Sequence, residues 1–161
     1  MNNNDVIRRV RYSFNLNDKK MIKIFELAGA QVTREQVSAW LKRDDDPDAQ
    51  PIYDKDLAVF LEGFIIKNRG KKEGLEPKPE KKLNNNIVFR KLKIALSLKD
   101  TDLQEIFKLV DFKVSKHELS AFFRNPTQSQ YRPCKDQILR NFLHGMQLKF
   151  RKPDEEEKVD D

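Results

Sequence analysis

Cys134, His117 and His144 are the only thiol and imidazoles in the chain. Covalent catalysis by a thiolate needs an imidazole within hydrogen-bond reach. All three residues fall in the second half of the sequence, and no metal-ligand spacing links them. Asp44-Asp45-Asp46-Pro47-Asp48 offers oxygen ligands to a hard cation, but it lacks the turn glycine and distal glutamate of a calcium loop. Neither a glycine-rich phosphate loop nor a serine nucleophile elbow is present. The residues therefore point to a binding protein rather than an enzyme, with no catalytic residue, metal site or cofactor expected.

The cations are the other candidates. The chain carries 32 Lys and Arg against 26 Asp and Glu, a net charge of +6. Acids crowd into the last ten positions, so the remaining body is more basic than the whole. A basic body suits a polyanion such as nucleic acid. Arg8, Arg9 and Arg11 lie off the apolar face of a first helix, and Arg90, Lys91 and Lys93 do so in a second copy of it. Such side chains can contact phosphates, although solvated helix faces and pairs with Asp18 or Glu26 use the same residues. Arg34 and Gln36, with Lys116 in the second copy, open short helices that follow a helix and a turn. This arrangement resembles a helix-turn-helix, whose second helix reads base edges with its first turns. A structural hairpin fits the same residues. The alternative partner is another protein or a second copy of the chain, because small aromatic-rich modules can leave apolar surface exposed.

The elements that carry these residues are written twice. The shift that takes Asn2-Asn3-Asn4 onto Asn84-Asn85-Asn86 also takes Leu16-x-Asp18 onto Leu98-x-Asp100 and Ile24-Phe25-x-Leu27 onto Ile106-Phe107-x-Leu109. It takes Ser38-Ala39 onto Ser120-Ala121, Pro51 onto Pro133, Phe60-Leu61-x-Gly63 onto Phe142-Leu143-x-Gly145 and Lys67-x-Arg69 onto Lys149-x-Arg151, without a gap. A match that runs through loops as well as periodic segments marks a duplication.

Each copy predicts four helices. The first covers 4–15 and 86–97, with Asn4 and Asn86 as N-caps. The second covers 18–28 and 100–110 and carries an apolar stripe, as in Leu103, Ile106, Phe107 and Val110. The third covers 34–42 and 116–124. Thr33 with Gln36, and Ser115 with Glu118, give it a capping box in both copies. The fourth covers 54–68 and 136–150, capped by Asp54 and Asp136. Gly63 and Gly145 sit mid-helix, which suggests a close backbone crossing between the two fourth helices. The expected fold is all-α, a tandem duplication of a four-helix module with the copies related by a pseudo-two-fold. The expected boundaries are 1–69 and 83–151 for the repeats, 70–82 for a basic proline-containing linker and 152–161 for an acidic disordered tail.

The repeated Asn-Asn-Asn start, the Leu-x-Asp and Ile-Phe-x-Leu core, the Val-Ser/Thr-x-x-Glu/Gln-Leu/Val-Ser-Ala signature and the Phe-Leu-x-Gly helix resemble the YehS-like family. These are small bacterial proteins with a duplicated domain of unknown function. The resemblance implies a bacterial, cytoplasmic protein and brings no activity or site residues with it. The single cysteine and the absence of a long apolar segment agree with a reducing compartment and no membrane span.

Overall fold

The computed structural model describes residues 1–71 and 77–153; the central part of the expected linker and nearly all of the expected tail lie outside them. Among the described residues there are eight helices and no strand. They are α1 (Asn3–Ser13), α2 (Asp18–Leu27), α3 (Arg34–Leu41) and α4 (Asp54–Arg69), followed by α5 (Asn85–Ala95), α6 (Asp100–Lys108), α7 (Lys116–Phe122) and α8 (Asp136–Phe150). The second four repeat the first four in order.

The three asparagines that open each repeat do three different things. Asn2 and Asn84 are the N-caps, accepting from the backbone N–H of Asp5 and Ile87. Asn3 Nδ2 donates to Ile52 O (3.1 Å) and Asp54 Oδ1 (2.8 Å), and Asn85 Nδ2 donates to Cys134 O (2.9 Å) and Asp136 Oδ1 (2.8 Å). Asn4 and Asn86, expected as caps, are buried instead. Asn4 Nδ2 donates to Trp40 O and Gln50 O, both at 2.9 Å, while its Oδ1 accepts from Ile52 N at 3.2 Å. Asn86 repeats this with Phe122 O, Arg132 O and Cys134 N. The long connection from α3 to α4 is thus satisfied by one side chain of α1, as buried backbone polar groups require. Asp54 and Asp136 likewise do not cap: each is the first residue of its helix, and Tyr53 and Lys135 occupy the cap positions without a side-chain bond. The capping boxes at Thr33 and Ser115 form as expected.

Helix α2 packs on α3 and α4, and α6 packs on α7 and α8. The first helix of each repeat, however, lies mainly on the fourth helix of the other, α1 on α8 and α5 on α4. Hydrogen bonds repeat this exchange. Asp54 Oδ2 accepts from Leu83 N (2.9 Å), and Asp136 Oδ2 accepts from the amino group of Met1 (3.2 Å). Arg69 donates to Ile94 O, and Arg151 donates to Tyr12 O. These residues match under the repeat shift, which makes the relation between the halves a pseudo-two-fold. Phe25, Trp40, Phe60 and Phe64 in the first repeat, and Phe89, Phe107 and Phe142 in the second, belong to one continuous apolar core. Phe14 bridges the halves, touching Phe64 at 5.2 Å and Phe150 at 5.4 Å between ring centroids.

The mid-helix glycines do mark close crossings, but not between the two fourth helices. A Cβ on Gly63 would overlap the carbonyl oxygen of Ile24 on α2, and one on Gly145 would overlap that of Ile106 on α6. On an open helix Gly→Ala gains roughly 1 kcal/mol. Here Gly63→Ala is expected to cost about 2 kcal/mol or more, because the α2–α4 backbones must separate. Urea unfolding of Gly63→Ala and Gly145→Ala reads this directly, and a gain in stability would refute the crossing.

Candidate anion-binding seam between the repeats

The exchanged packing creates two seams, α4·α5 and α1·α8, and the candidate cations sort by their place in them. Lys91, on α5, is buried: its Nζ lies 2.8 Å from Glu62 Oε1 on α4 and 3.0 Å from Glu80 Oε1. It has no surface left for a ligand. Arg8 is also committed. It reaches Asp5 Oδ1 (2.7 Å) and Lys42 O (2.7 Å), with Asp44 at 3.5 Å, and so ties α1 to the end of α3. Asp44 is thereby part of an ion pair, and among the described residues no cluster of His, Cys, Asp and Glu could hold a metal ion.

Arg9 behaves differently. It is half-buried on α1 at the α1·α8 seam, and no carboxylate lies within ion-pair distance among the described residues. Burial pulls its guanidinium below the usual arginine range, and Asp5 offsets this only in part. Asp5 is itself held by Arg8 and by the backbone of Asn2. Around Arg9 the surface opens into two adjoining clefts. One, of ≈ 470 Å³, is lined by Arg8, Arg9, Arg11, Tyr12 and Arg140 among others. The second, of ≈ 340 Å³, shares Arg9, Arg140 and Gln147 with it and adds Gln137, Asn141 and His144. Arg11 Nε is buried without a hydrogen-bond partner. The sequence singles out neither Arg140 nor His144 as a neighbour of these cations. Both are solvent-accessible on α8, yet they face a cation on another repeat.

The remaining candidates do not join this group. Arg34 Nε pairs with Asp18 at 3.2 Å, and the Gln36 side chain is used in its capping box. Arg90 and Lys116 are exposed, and Lys93 lies over the Phe123 ring at 5.2 Å. Helices α2 and α3 pack as neighbours across residues 28–33, with Gly29 at positive φ in the turn. The matching position in the second repeat is Asp111, which also adopts positive φ.

Comparison with known proteins gives the family. The model described as "Protein of unknown function (DUF1456)" matches twice, over residues 3–70 and 85–152. The chain belongs to the DUF1456 family. It is 40% identical over 147 residues to "Uncharacterized protein YehS" of Escherichia coli (strain K12), covering 91% of this chain and 94% of that relative. No solved structure matches the chain. Both matches of this family model fall on the repeats seen in the fold, one on each. Among the described residues no helix is long and apolar enough to cross a membrane.

Cys134 sits under Asn86 at the start of α8. Burial, with Asp136 nearby, pushes its thiol up from 9.0 to about 12. The fold therefore favours the protonated thiol, whereas the unfolded chain releases the proton from about pH 9 upward. The resulting stability is complete below the unfolded value and is lost as pH rises toward the folded one. The thiol is expected to resist aromatic disulfide reagents at pH 8 in the native chain and to react on unfolding. Between pH 9 and 12 the wild type should lose more stability than Cys134→Ala. Fast native-state labelling at pH 8 would contradict this.

Proposed function

We propose that this chain is a non-enzymatic nucleic-acid-binding protein whose contact surface centres on the α1·α8 seam. The observation that supports the reading most strongly is the set of Arg9, Arg11 and Arg140. These three guanidiniums border one open cleft and have no ion-pair partner among the described residues. Cations whose charge the protein itself neutralises add little to binding, whereas unneutralised ones can displace the counterions condensed on a phosphate chain. The net charge of +6 favours encounter with such a polyanion. Arg34, Arg90, Lys93 and Lys116 lie outside the seam and would extend the contact only for a ligand long enough to reach them. Large exposed apolar side chains, the feature that would favour a protein partner, are Tyr12, Tyr53, Ile94, Leu109 and Leu148. Tyr12 itself borders the seam cleft, with the Arg151 guanidinium over its ring at 3.7 Å, and the others belong to α5, α8 and the caps of α4 and α6.

Three phosphate contacts imply a log–log salt slope of about −2.7, or roughly 40-fold weaker binding to duplex between 50 and 200 mM salt. Fluorescence anisotropy with labelled duplex DNA and single-stranded RNA measures the slope. Arg9→Gln with Arg11→Gln is expected to flatten it by about 2. The absence of binding to either probe at low salt would overturn the reading.

A further inference from the structure

The two seams are matched position by position under the repeat shift, and they differ in chemistry. Lys91 of α4·α5 corresponds to Arg9 of α1·α8, and Glu62 corresponds to His144. Ala58, Val59 and Ile65 correspond to Arg140, Asn141 and Gln147. In the α4·α5 seam the cation is closed over, its side chain 8% exposed and held by two carboxylates. In the α1·α8 seam the equivalent cation has lost the carboxylate at the Glu62 position and gained a second guanidinium. Glu80, the other partner of Lys91, comes from the segment joining the repeats and serves only that seam. The nearest acids of the α1·α8 seam are occupied: Asp5 by Arg8 and Asn2, and Asp136 by Asn85 and the amino group of Met1.

The geometry points to a binding site for one phosphoryl group in the α1·α8 seam, held by Arg9, Arg140 and His144 with the side-chain amides of Gln137, Asn141 and Gln147. A half-buried guanidinium whose nearest carboxylate, Asp5, is already held by Arg8 and Asn2 is costly, and an incoming anion supplies the charge that Glu62 supplies in the other seam. Arg9 on α1 borders the cleft from one side and Arg140 and His144 on α8 from the other, with Gln137 bonded to Asn141 and Arg140 alongside, so the ligand must offer acceptor oxygens in different directions. A phosphoryl group does this, and the guanidinium fork matches two of its oxygens at once. Desolvation of Arg9 agrees with the same account. The site is single, because on α4 Ala58 stands at the position of Arg140, Glu62 at that of His144, and Val59 and Ile65 at those of Asn141 and Gln147. The phosphoryl group can belong to a free phosphorylated compound or to a nucleic-acid strand.

The test uses the full chain and titration calorimetry with inorganic pyrophosphate, alongside a 5′-phosphorylated oligonucleotide and its 5′-hydroxyl counterpart. Pyrophosphate is expected to saturate one site per chain and to raise Tm. His144→Glu, at an exposed position where misfolding is not at issue, recreates the neutralised seam. It should weaken pyrophosphate binding by at least roughly tenfold and raise Tm without ligand. Arg140→Gln should weaken binding without that rise. A phosphoryl group that belongs to a strand end shows as tighter binding of the 5′-phosphorylated oligonucleotide. Pyrophosphate binding without binding of either oligonucleotide supports the seam site while removing the nucleic-acid reading. Oligonucleotide binding without saturable pyrophosphate binding overturns the seam site, as does wild-type pyrophosphate affinity in His144→Glu.

Discussion

Burial of each repeat's first helix on the fourth helix of the other repeat is the constraint on which the rest depends. Val6, Ile7 and Val10 on α1, and Val88, Phe89 and Leu92 on α5, are almost wholly removed from solvent. Each such side chain contributes about 1.5–3 kcal/mol on burial. Phe89 packs on Phe107, Phe122, Phe123 and Phe142 of its own repeat, so the first helices join each repeat's own core as well as the other repeat's fourth helix. The polar links follow the same exchange. Asp54 and Asp136 each take the backbone nitrogen that precedes the other repeat's first helix, and Arg69 and Arg151 each tie the end of a fourth helix to the far end of the other first helix. Asn4 and Asn86 then fasten the α3–α4 and α7–α8 connections to the helices placed this way.

A symmetric frame makes its departures from symmetry informative. Both repeats keep the asparagine triplet, the capping boxes at Thr33 and Ser115, the crossing glycines and the arginines Arg69 and Arg151 that end the fourth helices. The seams keep their geometry and change their chemistry. One closes over Lys91 with Glu62 and Glu80, and the other leaves Arg9 beside Arg140 and His144. A carboxylate replaced by an imidazole, and an alanine by an arginine, do nothing evident for stability.

The helix count and the duplication are legible in the sequence because periodic apolar stripes and paired capping boxes are local signals. The jobs of the asparagines are not, since three consecutive residues of one cap-forming type fit the same role until helix register separates them. Gly63 signals a crossing but not its partner, because the stripe says which face is buried and not what covers it. Lys91 reads as a surface cation because its partner Glu62 is remote in sequence and lies on another repeat. Arg140 and His144 carry a usable signal after all. They are positions where the two copies, superposed by the repeat shift, change charge class within a helix that otherwise keeps its apolar stripe.

Exchanged packing predicts that the two repeats unfold as one cooperative unit, and differential scanning calorimetry tests that most directly. The account requires a single endotherm whose calorimetric and van't Hoff enthalpies agree, with a ratio of about 1. Two resolved transitions, one for each repeat, would show that the halves fold independently and would contradict it.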